Sequence, residues 1–283
     1  SSAVNAIKFQ TFKASELISD HNQKYTYKSQ GKKVTESMLD MFKRYELDKE
    51  DWKKIKTRCD EKKILFLSTP QNKTDLDLLL NLKITAIKVG SDDLTNLPLI
   101  KEYSSTGLPL FLSCGMADLS EISTSLNTIG SFDGYPTVLL HTTSQYPTPE
   151  KDVNLLKLKT LQNTFPNIPV GFSDHTQGPL ASSLAVALGA VIFEKHFTLD
   201  NNLLGPDHWF SENPLGLKQW CKNIKKSHAM LGNSLLKPTN TEIENKNEFR
   251  RFIVAIRDIQ KNEVFSRKNI GMRRTSQKNS LPP

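Results

Sequence analysis

Cysteine is scarce in this sequence: three in 283 residues, at positions 59, 114 and 221. An odd number without metal-like spacing excludes a disulfide framework and a cysteine zinc site, and points to a reducing compartment. Long hydrophobic runs are also missing. None approaches the roughly 20 apolar residues of a membrane span, and no signal-peptide pattern opens the chain, so a cytoplasmic protein is expected. No helix-turn-helix, zinc-finger or RNA-binding signature accompanies the net charge of +8. The lysines are scattered through stretches such as 43–63, interleaved with Asp and Glu, which favours a solvated surface over a nucleic-acid face. With 37% hydrophobic and 24% charged residues the chain has the composition of a globular protein.

What is present is a regular alternation. Apolar runs at 6–12, 64–70, 86–91, 108–114, 137–142, 168–173 and 190–196 read as strands. Helical patterns separate them at 35–63 (with a break near Leu47-Asp48), 74–82, 96–106, 119–129, 151–165 and 180–188, and a last helix is expected at 216–231. Near-continuous apolar runs are the mark of parallel strands buried on both faces. Length and alternation leave a doubly wound sheet or a (β/α)8 TIM barrel. The barrel is favoured because polar residues stand at the C-terminal end of nearly every run: Lys8 and Gln10, Thr69, Lys88 and Ser91, Ser113, Thr142 and Ser144, Ser173 and His175, Glu194 and His196. In a barrel these ends meet at one mouth. Seven strands is one short, so the expected barrel lacks its first strand. The expected organisation is a barrel domain over 1–237, a polar linker over 238–250 and the opening of a second module over 251–283.

The stretch Val170–Phe210 carries the densest chemistry. Ser173 and His175 are two apart, as are Glu194 and His196, and residues two apart on a strand share a face. Two such strands side by side would gather two histidines, a serine and a carboxylate, enough for a metal or acid–base site. Duller readings stand beside this one. Ser91 and Ser173 could cap helices, Thr69 could be a turn residue before Pro70, and single histidines are more often structural. Lys8 and Lys88 inside apolar strands need anionic partners. Cys114 near the mouth has no histidine partner and is read as packing, as is the stripe Leu78-Leu79-Leu80-Leu82.

The ordered segments AIKFQTF (6–12), FLSTP (66–70), IKVGS and TNLPLI (87–100), LSCGMADLSEI (112–122), LLHTTSQYPTP (139–149), GFSDHT (171–176), EKHFTLD (194–200) and GPDHWFS (205–211) resemble the sialic acid synthase family. That family condenses phosphoenolpyruvate with an N-acetylated amino sugar. The resemblance implies that Lys8, Thr69, Lys88, Ser91, Ser144 and Ser173 receive phosphoenolpyruvate. It implies that His175 and His196 hold Mn2+ or Mg2+, and that Gln10 and Tyr146 line the sugar pocket. Glu194 and Asp207 would bind or protonate sugar hydroxyls. Asp93 stands where the family has a glutamate near the attacking water, one methylene shorter. Residues beyond 248 resemble the start of the antifreeze-protein-like (SAF) domain that follows the barrel, and a homodimer is implied, with this chain's own assembly left open. The rival readings are an inactive remnant of such a synthase, a Schiff-base aldolase using Lys88, and a non-enzymatic basic binding protein.

Overall fold

The computed structural model describes residues 4–277 and 281–283. It divides into a larger unit ending at Leu231 and a smaller one beginning at Gly232. The larger unit opens with strand β1 (Ala6–Thr11), a short helix α1 (Ala14–Leu17), and an antiparallel hairpin of β2 (Lys24–Ser29) and β3 (Lys32–Ser37). Helices α2 (Met38–Tyr45) and α3 (Lys49–Glu61) follow, and the Asp48 side chain caps α3 by accepting from Asp51 N at 2.8 Å. The helix expected from residue 35 is therefore corrected at its start: Thr35 to Ser37 belong to β3. Alternating Tyr25, Tyr27 and Val34 around Gln30-Gly31, whose φ values of 48° and 78° make a tight primed turn, hold that stretch extended.

Strand and helix then alternate: β4 (Leu65–Pro70), α4 (Lys73–Asn81), β5 (Ile87–Val89), α5 (Leu97–Ser105), β6 (Leu110–Ser113), α6 (Leu119–Ile129), β7 (Thr137–His141), α7 (Lys157–Thr164), β8 (Val170–Asp174), α8 (Leu180–Ala187), β9 (Phe193–Lys195) and α9 (Pro214–Leu231). The helix expected from 151 starts at Lys157, because Asn154 turns left-handed (φ 48°) and only a 3₁₀ turn precedes it. All strand pairings in this series are parallel: β1 with β4, and β5-β6-β7-β8-β9 in sequence order. The strands form a curled stack, since Lys8 on β1 and Glu194 on β9 reach each other at 3.1 Å although their strands are not paired.

The period of two along each strand sorts the side chains. On one face lie Lys8, Gln10, Thr69, Lys88, Ser113, Ser173 and Glu194; the other packs on the helices. There Phe9 stacks on Phe66 at 5.5 Å and both meet Trp52 of α3 edge-on. Ile87, Leu110, Leu112, Leu126, Leu139 and Leu79 are fully buried in the same core. Each such side chain contributes roughly 1.5–3 kcal/mol of transfer free energy. In the leucine stripe of α4, Leu79 is buried but Leu80 is 38% exposed and faces outward, so the expected core stripe is narrower than its sequence.

The smaller unit holds helix α10 (Asn240–Phe249) and an antiparallel pair, β10 (Phe252–Ala255) with β11 (Ile270–Arg273). Most of the segment expected as a linker is thus helical. Its start is a capping box, with Thr239 Oγ1 accepting from Glu242 N and Glu242 Oε2 accepting from Thr239 N. Among the described residues no helix is long and apolar enough to cross a membrane.

Candidate functional site

The C-terminal ends of β8 and β9 carry the centre of the site. Their register pairs Ser173 with Glu194 and Asp174 with Lys195, so Ser173 and Glu194 share the inner face. Ser173 Oγ donates to Glu194 Oε1 at 2.8 Å, and Lys8 Nζ lies 3.1 Å from the same oxygen. Burial opposes ionisation of Glu194, yet Lys8 and Lys88 outweigh it and hold the carboxyl well below its ordinary range. Lys88 is 4% exposed and donates to Ser113 Oγ at 2.7 Å and to the Val89 carbonyl at 2.9 Å. Burial, only partly offset by Glu194, pulls its ammonium down to about 8. Lys8, Lys88 and Glu194 thus form one charged cluster, and the Asp92 carboxylate also acts on Lys88.

One residue further on, His175 and His196 extend the same face. Their rings stand 5.2 Å apart, almost perpendicular. His175 Nδ1 donates to the Thr143 carbonyl at 2.8 Å, with Thr142 Oγ1 3.2 Å away, which fixes the tautomer and leaves Nε2 as the lone-pair nitrogen. Burial lowers the His175 pKa, and burial with the neighbouring His175 and Lys8 pulls His196 down to about 3. Both rings are neutral at physiological pH. Tyr146 lies over them, 4.3 Å from His175 and 5.6 Å from His196, centroid to centroid, its phenol pushed up to about 12 chiefly by burial. Asp207 Oδ2 stands 3.5 Å from His196 Nδ1, its side chain about half exposed. No three His, Cys, Asp or Glu side chains converge on one metal position among the described residues.

A second part of the site is made of hydroxyls and backbone. Ser91 Oγ accepts from Gly115 N at 3.1 Å. A Cβ on Gly115 would stand 2.5 Å from Ser144 Oγ and 2.8 Å from Ser91 Oγ. Gly115 is therefore the gap that lets the ends of β5, β6 and β7 draw their hydroxyls together, a cradle suited to an anion. Neither Ser91 nor Ser173 caps a helix; α5 begins after Asn96, and Ser173 lies inside β8. Thr69 is buried at the end of β4, directly opposite Gln10 on β1.

Asp93 lies in the loop between β5 and α5. Its Oδ1 accepts from Asn96 Nδ2 at 3.0 Å, and burial raises its pKa. The neighbouring Asp92 folds back instead: its Oδ1 lies 2.1 Å from where a Cβ on Gly90 would be, and its charge acts on Lys88 and Tyr146. Sequence reasoning passed over Asp92 because which of two adjacent aspartates turns inward depends on the loop after β5. It also missed the β2–β3 hairpin, which braces the loop carrying Asp207. Gln30 Nε2 donates to the Asn202 carbonyl at 2.7 Å, Ser29 Oγ accepts from Gly205 N at 3.2 Å, and Lys28 Nζ sits 4.3 Å over the Trp209 ring. The alternating Tyr25-Thr26-Tyr27 before Gln-Gly was the readable signal for it. The residues left structural behave so: His141 Nε2 bonds the Val153 carbonyl, His208 Nδ1 bonds Thr198 Oγ1, and burial pushes the Cys114 thiol up to about 11.

The strand ends of this parallel α/β chain gather two lysines, a part-buried carboxylate, a group of hydroxyls and two neutral imidazoles, donors whose chemistry suits an anion. Comparison with known proteins gives that class a family. The family model described as "NeuB family" matches residues 1–235, and the chain belongs to the NeuB family. It is 38% identical over 275 residues to the N,N'-diacetyllegionaminic acid synthase of Campylobacter jejuni, covering 96% of this chain and 82% of that protein. Against the synthase of the same name from Legionella pneumophila it is 36% identical, covering 95% and 76%. Among solved structures, the N-acetylneuraminic acid synthetase of Leptospira borgpetersenii superposes with a TM-score of 0.74 at 32% identity, covering 87% of this chain and 81% of that one.

Proposed function

We propose that this chain condenses phosphoenolpyruvate with an N-acetylated amino sugar, N-acetylmannosamine or a related diamino-trideoxy sugar, to give a nonulosonic acid and phosphate. The observation that carries the reading is the union, on one face of β1, β5, β8 and β9, of an anion-receiving lysine pair with two neutral imidazoles. Names of relatives that make legionaminic, pseudaminic and sialic-type acids support the product class. The curled strand stack is read as seven strands of a (β/α)8 barrel, supported by the Lys8–Glu194 contact between its outermost strands. The β10–β11 pair is read as the opening of an antifreeze-like domain.

Lys8 and Lys88 would neutralise the phosphate and carboxylate of phosphoenolpyruvate, while Ser91, Ser144 and the Gly115 amide region wrap the anion. Thr69 and Ser173 add hydroxyls at the same strand ends. His175 Nε2 and His196, with the remaining positions filled by oxygen donors, would hold a divalent cation such as Mn2+ or Mg2+, which would supply Lewis-acid polarisation of the sugar aldehyde oxygen. The new bond joins C3 of the enol to the aldehyde carbon; water adds at C2, and phosphate leaves with C–O cleavage. Glu194 and Asp207 would bind or protonate the sugar oxygens, Gln10 and Tyr146 would border that pocket, and Asp93 would attend the attacking water. Asp207, 3.5 Å from His196 Nδ1, would donate to the new alkoxide.

The test is phosphate release from phosphoenolpyruvate, with and without N-acetylmannosamine or its diamino-trideoxy analogues, in Mn2+ and then in EDTA. Release requiring both sugar and metal is expected; silence with every sugar refutes the synthase. One observation favours a second reading: an ammonium lowered to about 8 is also what a Schiff-base lysine needs. Borohydride in the presence of pyruvate would trap Lys88 in an aldolase and leave it unmodified in the synthase.

A further inference from the structure

On the opposite face of β8 and β9 from the two histidines lies a second charged pair. Lys195 Nζ stands 3.1 Å from Asp174 Oδ2, with side chains 2% and 0% exposed. The ladder between the strands ends at these two residues, so no backbone pairing holds His175 and His196, the next residue on each strand, to one another. Side chains take over there. Asp174 Oδ1 accepts from Thr176 N at 2.9 Å and Thr176 Oγ1 at 2.7 Å, closing a turn around His175. Lys195 Nζ donates to the carbonyls of Thr176 at 2.5 Å and Gly178 at 3.2 Å, gripping the chain beyond that turn. Asp174 Oδ2 also accepts from Ser182 Oγ at 2.6 Å, and Ser182 Oγ accepts from Trp220 Nε1 at 2.9 Å, which anchors the pair to α8 and α9. One lysine, directly before His196, thus binds the segment that contains His175.

We propose that Asp174 and Lys195 are positioning residues that set the separation of the two imidazoles, and with it the affinity of the divalent-cation site. The proposal rests on the metal role given to His175 and His196 above. A buried ion pair is a poor stabiliser compared with apolar packing but a good device for fixing register, because its geometry admits few alternatives. It acts on the ligands through the backbone on either side of them, a shell whose loss typically weakens metal sites by about 10- to 100-fold.

Mn2+ binding to the full chain, followed by the electron paramagnetic resonance of the free ion, tests this, with the visible absorption of bound Co2+ as a geometric signature. The neutral double variant Asp174→Asn/Lys195→Met is expected to melt cooperatively, to bind Mn2+ at least about tenfold more weakly and to shift the Co2+ bands. If it does not fold, Asp174→Glu, which keeps the charge and displaces it by one methylene, carries the same expectation. Ser182→Ala removes the hydroxyl that links Asp174 Oδ2 to Trp220 Nε1 but keeps the Asp174–Lys195 pair and the bonds of both to the turn around His175; it should lower the melting temperature and leave Mn2+ affinity unchanged. Wild-type affinity and spectrum in the strand variants, or an equal loss in Ser182→Ala, overturns the positioning role alone. A wild-type chain that binds no Mn2+ overturns the metal site and the proposal with it.

Discussion

Proton uptake on substrate binding is the sharpest consequence of the lysine cluster. In the free protein Lys88 is buried, its ammonium solvated by one hydroxyl and one carbonyl, and its pKa stands at about 8. A bound dianion beside it reverses the balance: the charged form gains an opposite charge at contact distance, and the pKa returns toward the ordinary lysine value of about 10.4. Binding phosphoenolpyruvate should then draw a proton from solution in proportion to the fraction of Lys88 that was neutral. From a pKa of about 8 that fraction is roughly 0.1 at pH 7, 0.5 at pH 8 and 0.9 at pH 9. The assay is calorimetric titration of the full chain with phosphoenolpyruvate in pairs of buffers of different ionisation enthalpy. The difference in apparent enthalpy yields the protons taken up at each pH. Lys88→Arg, which stays charged throughout, should bind the anion with the rising uptake abolished. Uptake that stays near zero from pH 7 to 9 in the wild type would refute the reasoning. So would an unaltered rise in the arginine variant, which would assign the proton to another group.

Gly115→Ala should place its methyl against Ser144 and Ser91 and cost one or two charge-assisted hydrogen bonds to the anion, about 1.5–3 kcal/mol each. That corresponds to a Kd for phosphoenolpyruvate raised at least about tenfold with the melting temperature nearly unchanged, and an unchanged Kd counts against the cradle. His175→Ala should abolish Mn2+-dependent phosphate release while leaving a folded chain by circular dichroism; turnover that survives it removes the metal assignment. Because His196 is held neutral, its pKa lowered to about 3 from an unfolded value near 6.5, the native state binds fewer protons than the unfolded one between those values. Its contribution to stability is present above pH 6.5 and is lost as pH falls toward 3, so His196→Gln should flatten the acid limb of a melting-temperature profile in that window. A limb of identical slope would contradict the burial of the ring. Leu112→Ala, at a site with no exposure in β6, should destabilise the larger unit by about 2–5 kcal/mol in urea unfolding, and a loss under 1 kcal/mol would mean the core there can collapse.

The alternation of strands and helices was legible because buried parallel strands are written as short apolar runs. The punctuation was equally local, as in Ser68-Thr69-Pro70 and Gly90-Ser91. The pairing of His175 with His196 followed from the same period of two. What escaped was whatever depends on chain direction after an element ends. The turn after β5 sends Asp92 back over Gly90 and leaves Asp93 on Asn96, a choice made by a few backbone angles that no residue type dictates. The β2–β3 hairpin and α10 escaped for a different reason. Their signals, the Gln30-Gly31 turn and the Thr239–Glu242 capping box, were present, but the hairpin stretch carries no apolar run to mark it as strand, and the polar composition of 238–250 suggested a linker instead.

The same period of two that exposed the histidines also determined what lies behind them. In the sequences Ser173-Asp174-His175 and Glu194-Lys195-His196 the outer residues of each triplet face the strand interior, and the middle ones must face the helices. A charge placed there, among apolar side chains, cannot stand alone; burying either Asp174 or Lys195 without the other would cost several kcal/mol. Adjacent parallel strands in register supply the partner at 3.1 Å, and the pair then determines how far apart the two strand tips can drift. Reactive groups on one face and the means of holding them on the other are therefore encoded in two overlapping triplets. Neither triplet is interpretable until the register joining them is known.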